Sequence, residues 1–235
     1  MIVLNKFIGT WSNVVTKYIV LTEFSKEKFS RTLPEKKLIV KPNFIEFNRE
    51  IPPEDDFRKE NCFLYVGRVS KEKGVNILLK AWERFNKDGT EKLVIIGDGP
   101  ELDEMKKIGG DGVVFLGKQP SNIVMNYMRR AKYLVVPSIW YEGFPMTIVE
   151  ALSVGTPIIT SKLGSLKEIV IDGVNGFHFE PSSVEELSEV LERANDYKDY
   201  TYLCKSAKKE FTDKYSPKVN YLKLMKIYKG MENGG

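Results

Sequence analysis

Between residues 62 and 179 the chain alternates short apolar runs with longer amphipathic ones, and this alternation constrains the fold most. Segments 62–66, 93–96, 113–116, 133–136, 157–160 and 176–179 are uncharged and rich in Val, Ile, Leu and aromatic residues. A strand with no polar face needs cover on both sides, which is the pattern of a parallel sheet flanked by helices. The intervening segments 74–86, 100–108, 122–131, 145–154 and 166–171 read as helices. The first puts Ile77, Leu78, Ala81, Trp82 and Phe85 on one face. The expected architecture is α/β, a doubly wound parallel sheet over residues 60–182.

The flanks read differently. Residues 17–21 predict a strand, with Thr22 as N-cap of a helix over 23–29, and residues 38–40 a second strand. Pro34, Pro42, Pro52, Pro53 and the run Glu54-Asp55-Asp56 predict a linker, with a boundary near residue 45. Residues 184–230 are helical and polar. Towards their end Lys218, Lys223, Lys226 and Lys229 interleave with Val219, Leu222, Leu224, Met225 and Ile227.

Composition narrows the chemistry. The 235 residues carry 36 Lys and Arg against 32 Asp and Glu, a net charge of +4. That is no dense basic stripe, so nucleic acid is not expected as a partner. An anionic small molecule or an anionic membrane surface is compatible with it. His178 is the one histidine, which excludes a two-histidine metal site within one chain. Cys62 and Cys204 lie far apart with no C-x-x-C, which supports neither a disulfide framework nor a zinc site and fits a reducing compartment. No run of about 18 apolar residues occurs. The first 21 residues lack a basic segment followed by a long apolar core, so secretion is not expected.

Ligands of open parallel sheets sit at the carboxyl ends of the strands, so the loops after each strand hold the candidate chemistry. The first, Gly67-Arg68-Val69-Ser70-Lys71-Glu72-Lys73-Gly74, could meet an anion with Arg68, Lys73 and helix N–H groups. Taken alone it also fits a solvated turn. The second, Gly97-Asp98-Gly99-Pro100, is an incomplete dinucleotide fingerprint, because Leu102 stands where the third glycine belongs, and reads as a tight turn. The third, Gly117-Lys118-Gln119-Pro120-Ser121, reads as a structural turn with Ser121 or Asn122 as N-cap. The fourth runs from Pro137 to Leu152. A helix starting at Pro145 leaves the N–H groups of Met146, Thr147 and Ile148 for oxygens. Glu142 precedes that helix and reads either as a ligand for hydroxyl groups or as dipole compensation. Glu150 falls between Val149 and Ala151-Leu152 in a helix expected to be mostly buried. An unpaired carboxylate there is costly, so Glu150 is expected to have a ligand or a fixed partner.

Taken in order, Gly67-Arg68, Lys73-Gly74, Pro137-Ser138, Glu142 and Glu150 spaced E-x(7)-E, Ala151-Leu152 and Gly155-Thr156-Pro157 resemble the C-terminal lobe of retaining glycosyltransferases of family 4, with the GT-B fold. Glu168 and Asp172-Gly173-Val174-Asn175-Gly176 resemble that family's closing turn. The resemblance implies a nucleotide-diphosphate-sugar donor (UDP-, GDP- or ADP-sugar), no cofactor and no metal. It implies Arg68 and Lys73 on the diphosphate and Glu142 beside the transferred sugar. Gly143, Phe144, Met146 and Thr147 would lie at sugar hydroxyls and phosphate, and Glu150 at the ribose. Gly67 also belongs to the donor site, with Gly117 and Lys118 near the base. Cationic stabilisation of the leaving group would replace a metal ion.

The resemblance further divides the chain into a remnant of the acceptor lobe and linker (1–45), a nucleotide-sugar-binding Rossmann-like domain (46–216) and a basic amphipathic helix (217–235), with most of the N-terminal lobe absent. Pro145 departs from the glycine that many members carry there. The implied function is retaining transfer to a saccharide or lipid-linked acceptor, with this chain alone weakly active or inactive. The rival readings are a non-catalytic nucleotide-sugar-binding module and a dinucleotide-dependent dehydrogenase. The expected setting is cytoplasmic, peripheral to the membrane, with self-association through the termini.

Overall fold

The computed structural model describes Gly9, residues 13–46 and residues 59–232. The expected linker at Pro52, Pro53 and Glu54-Asp55-Asp56 lies outside the described residues. Near the N-terminus β1 (Tyr18–Val20) and β2 (Leu38–Val40) pair in parallel, Tyr18 opposite Leu38 and Val20 opposite Val40, joined through helix α1 (Glu23–Ser30). Thr22 caps that helix as its sequence predicts: its backbone is extended and its hydroxyl accepts the Ser25 amide at 3.0 Å.

The main sheet has six parallel strands: β3 (Cys62–Val66), β4 (Lys92–Ile96), β5 (Val113–Gly117), β6 (Tyr133–Val136), β7 (Ile158–Ser161) and β8 (Gly176–Phe179). Their spatial order is β5-β4-β3-β6-β7-β8. The chain works outward from β3 to β5, returns to the middle, and works outward again from β6. The winding therefore reverses between β3 and β6, which opens a crevice at their carboxyl ends.

Alternation along the strands sorts the core into two layers. Phe63 and Tyr65, Leu93 and Ile95, and Tyr133 and Val135 face α2 (Val75–Phe85) and α7 (Val184–Asn195). Cys62 and Leu64, Val94 and Ile96, and Leu134 and Val136 face α4 (Ser121–Arg130), α5 (Met146–Ser153) and α6 (Gly164–Ile169). Phe63 anchors the first layer, with ring centroids 5.4 Å from Trp82, 5.6 Å from Phe85 and 5.7 Å from Tyr133. Helix α3 (Leu102–Ile108) joins β4 to β5. After α7, helix α8 (Tyr200–Glu210) passes through a π-helical turn, Phe211–Tyr215, into α9 (Pro217–Glu232).

Several helix starts differ from the sequence expectation. The α3 helix begins at Leu102 rather than residue 100, because Gly99 packs against the Val69 carbonyl of the β3 loop and the Glu101 amide donates to it at 3.1 Å. Pro120 caps α4, so neither Ser121 nor Asn122 is the N-cap, and no side chain caps it. Pro145 likewise is the N-cap of α5, with extended backbone, and the helix starts at Met146. The turn before β8 is built by its own side chains. Buried Asn175 accepts the Ile171 amide at 2.7 Å and donates to the Ile169 carbonyl at 3.2 Å. Asp172 accepts the His178 amide at 2.8 Å.

In α9, Ile227 is buried and Leu224 and Met225 are half-buried, whereas Leu222 stays exposed. Asn220 ties this helix to the exit of β2, donating to the Pro42 carbonyl at 2.6 Å. No helix of the described residues is long and apolar enough to cross a membrane.

Candidate functional site

The loops after β3, β4 and β6 are locked together by backbone contacts. Gly74 has φ +69, and a Cβ there would lie 2.0 Å from the Pro137 carbonyl oxygen, so only glycine lets the β6 loop close onto the β3 loop. The Ile139 amide then donates to the Glu72 carbonyl at 2.9 Å. On the other side a Cβ on Gly97 would lie 1.7 Å from the Gly67 oxygen, and one on Gly99 2.2 Å from the Val69 oxygen. The Val69 amide donates to the Asp98 carbonyl at 3.0 Å across this contact. The Gly97-Asp98-Gly99 sequence is thus explained by two loops packing backbone to backbone. Buried Tyr65 braces the same loop, donating its hydroxyl to the Arg68 carbonyl at 2.7 Å. Burial, reinforced by the negative charges of Glu142 and Glu72, holds that phenol far above its ordinary pKa, so it keeps its proton.

Within this frame a cleft of about 720 Å³ opens, lined in part by Gly67, Arg68, Asp98, Lys118 and Gln119. Arg68 and Lys118 are exposed there, and among the described residues neither forms an ion pair. Gly117, φ +65, ends β5 and accepts the Gly97 amide at 2.9 Å, which sets the position of Lys118.

Lys73 and Glu142 meet each other. The Lys73 ammonium donates to Glu142 Oε1 at 2.6 Å, and Ser138 donates to the same oxygen at 2.7 Å. Buried Ser165 holds the Glu142 carbonyl at 2.6 Å, and buried Ser161 holds that of Ser138 at 2.6 Å. The carboxylate is therefore fixed by groups following β3 and β6, and the backbone of Glu142 by one following β7. The sequence expectation that Lys73 and Glu142 serve separate parts of a ligand did not include this pairing.

At α5 the Ile148 amide is not left over, because it donates to the Pro145 carbonyl at 3.1 Å. The Met146 and Thr147 amides have no acceptor among the described residues and form the open end of the helix. The Phe144 ring packs edge-on against Tyr215 at 6.0 Å, and Gly143 beside it is exposed. Glu150, one turn along, is half-buried, and its carboxylate has no partner among the described residues. Burial raises its pKa. The sequence expectation is a ligand or a fixed partner, and no fixed partner is present among the described residues.

Gly67, Arg68 and Lys118 come together in one cleft, Lys73 and Glu142 pair beside it, and Met146, Thr147 and Glu150 share α5. The cleft lining itself includes none of Lys73, Glu142, Gly143, Phe144, Met146, Thr147 and Glu150. Sequence reasoning missed the positioning roles of Ser138, Ser161, Ser165 and Tyr65. Their one signal is a hydroxyl at the end of an apolar strand or the start of the helix that follows. It also missed Glu168, whose two carboxylate oxygens accept the Glu23 and Phe24 amides at 2.9 Å each, capping α1 from α6.

A parallel sheet in this order, with cations and an open helix N-terminus gathered at its switch point, is the Rossmann-like lobe of a GT-B glycosyltransferase. The fold is that of the Anabaena protein HepE in its crystal structure with UDP and glucose (TM-score 0.79, 20% identity, 92% of this chain and 63% of that one). It is also that of the lipopolysaccharide outer core galactosyltransferase WaaB (TM-score 0.74, 25% identity, 92% and 62%). Residues 46–210 match the family of glycosyl transferases group 1, and the chain belongs to that family. It is 31% identical over 223 residues to the lipopolysaccharide 1,2-N-acetylglucosaminetransferase of Salmonella typhimurium, covering 85% of this chain and 58% of that protein. It is 32% identical over 178 residues to an uncharacterized glycosyltransferase of Methanocaldococcus jannaschii, covering 73% and 45%. The chain thus spans about half the length of the curated relatives it matches.

Proposed function

We propose that this chain binds a nucleotide-diphosphate sugar at the β3–β6 crevice and serves transfer of that sugar, with retention, to a saccharide or lipid-linked acceptor. The observation that carries the reading is the complementarity of the loops that follow β3, β5 and β6. Two unpaired cations, Arg68 and Lys118, line the cleft. The Lys73–Glu142 pair and the open amides of Met146 and Thr147 lie on the neighbouring loops. A diphosphate supplies the negative charge that Arg68, Lys118 and the helix terminus lack and a second anion for Lys73 beside Glu142, and a sugar or ribose supplies hydroxyl donors for Glu142 and Glu150.

In transfer, charge develops on the departing diphosphate. Arg68 and Lys73 are placed to stabilise it without reorganisation. Glu142, held by Ser138 and Ser165, orients the sugar so that its anomeric carbon faces the acceptor. Met146 and Thr147 donate to its oxygens.

The structural neighbour bound to UDP and glucose and the Salmonella N-acetylglucosaminetransferase make UDP-N-acetylglucosamine and UDP-glucose the first donors to try. The test is thermal unfolding of the chain with UDP-, GDP- and ADP-sugars. A ligand at 100 times its Kd stabilises by about 2.7 kcal/mol, so the true donor stands out. Absence of stabilisation by every nucleotide diphosphate and its sugars would refute the reading.

A further inference from the structure

Trp140 is the most conspicuous apolar group left in solvent around the crevice, with 69% of its surface exposed. Its exposure is not that of a slack loop. Just before it the backbone is tied down, by the Ile139 amide on the Glu72 carbonyl at 2.9 Å and by Ser161 on the Ser138 carbonyl at 2.6 Å. Two residues on, Glu142 is fixed by Lys73 and Ser138. The neighbouring Tyr141 is also exposed, but its ring has partners: Phe24 of α1 at 5.1 Å and the Lys28 ammonium at 5.6 Å. Trp140 makes no ring contact among the described residues. A rigid loop thus presents a free indole beside the carboxylate assigned to the donor sugar.

Of the groups assigned to the donor, Arg68, Lys73 and Lys118 come from the loops after β3 and β5, and the Met146 and Thr147 amides and Glu150 follow Glu142. Trp140 precedes it, on the stretch whose next ring leans on α1. An indole displayed in this way has an electron-rich face, and the matching partner is the weakly positive C–H face of a pyranose ring. Tyr141 rests on Phe24 and Lys28 of the β1–α1–β2 unit, so the stretch that carries Trp140 borders that unit as well as the donor carboxylate.

We infer that Trp140 is an acceptor-binding residue, its indole stacking on a pyranose ring of a saccharide acceptor beside Glu142. The inference rests on the donor reading above and adds the class of acceptor contact to it.

The experiment saturates the full chain with UDP and titrates cellotriose, maltotriose and N,N′,N″-triacetylchitotriose, following tryptophan emission and saturation-transfer NMR. At least one trisaccharide is expected to shift the emission to the blue and to receive saturation. Trp140→Ala should weaken that binding at least tenfold, and Trp140→Phe should keep it within threefold. Both variants should bind UDP as the parent chain does. If no trisaccharide binds UDP-saturated protein, or if Trp140→Ala binds it as tightly as the parent, the inference falls while the donor reading stands. If Trp140→Ala loses UDP affinity to the same extent, the residue shapes the donor site instead and the inference also falls. Failure of UDP to bind the parent chain would overturn the donor reading itself.

Discussion

The Lys73 ammonium stands 2.6 Å from a carboxylate oxygen of Glu142, although the two are 69 residues apart and follow strands from opposite halves of the sheet. Both side chains are largely withdrawn from solvent, 29% and 18% exposed. Each neutralises the other where water can do so only in part. A donor that brings a diphosphate to Lys73 and a hydroxyl to Glu142 inherits a pair already held in place.

Removing either partner leaves a half-buried charge behind. Lys73→Met and Glu142→Gln should each destabilise the chain by about 1–2 kcal/mol, below the 3–5 kcal/mol of fully buried pairs because both groups keep some solvent. The double variant should cost less than the sum of the two, with a coupling of at least ~0.5 kcal/mol. Urea unfolding of the four proteins measures the cycle, and strict additivity would show that the pair contributes nothing. Glu142→Gln should also weaken the sugar nucleotide and leave the free nucleotide untouched.

Arg68 gives the opposite combination. It is exposed and forms no ion pair among the described residues, so its guanidinium contributes little to holding their fold. Arg68→Ala should leave stability within about 0.5 kcal/mol. A charge-assisted contact with a diphosphate contributes about 1.5–3 kcal/mol, so affinity for nucleotide diphosphates should fall at least tenfold. Calorimetric titration beside thermal unfolding reads both. Unchanged affinity would remove Arg68 from the site.

Glu150 carries a pH signature. Burial raises its folded pKa above the ordinary carboxylate value, so its contribution to stability is fully present below the unfolded pKa. That contribution is lost as pH rises through the folded pKa. At neutral pH the charged group is therefore a liability to the folded chain, and Glu150→Gln should stabilise it by about 0.5–2 kcal/mol. The gain should shrink as pH is lowered and the parent's carboxyl takes up its proton. The same substitution should weaken free nucleotide and sugar nucleotide alike, in contrast to Glu142→Gln. A Glu150→Gln variant less stable than the parent at pH 7 would mean that the carboxylate has a stabilising partner.

The sheet was legible because its signal is periodic and local. Six uncharged runs of four or five residues, each followed by an amphipathic segment, leave little choice but strands covered on both faces. Cap residues were less so. Thr22 was read correctly because its hydroxyl reaches an amide three residues on. The cap of α4 was not, because Pro120 holds that position by backbone shape alone and the serine after it is drawn into the helix. In the site, types and order were legible: cations after the first strand, carboxylates around the fourth loop. Which of these groups meet was not. The Lys73–Glu142 contact depends on Gly74 allowing the Pro137 carbonyl to come close, and nothing within either loop states that approach.

Glu168 shows the same limit and yields the last prediction. Read with the closing turn, it in fact reaches from α6 to the first turn of α1, where its two oxygens accept the Glu23 and Phe24 amides at 2.9 Å each. A carboxylate at a helix N-terminus satisfies amides with no partner in the helix and lies in the favourable sense of the helix dipole. Here the cap comes from 145 residues away, so it also docks the β1–α1–β2 unit against the main sheet's helices. Phe24, whose amide it holds, is the residue that stacks on Tyr141, next to Glu142. Glu168→Ala should therefore cost about 0.5–2 kcal/mol, as loss of a helix cap does. The loss should be local. Amide hydrogen exchange in residues 18–41 should accelerate, including the Lys41 amide that closes β2 onto the Val20 carbonyl at 2.8 Å, while the β3–β8 sheet keeps its protection. Affinity for the sugar nucleotide should fall by less than it does in Glu142→Gln, because Tyr141 loses its neighbour while Ser138 and Lys73 still hold the carboxylate and Ser165 the backbone carbonyl of Glu142. Exchange that speeds up evenly across both sheets would show that Glu168 supports the fold as a whole rather than this one junction.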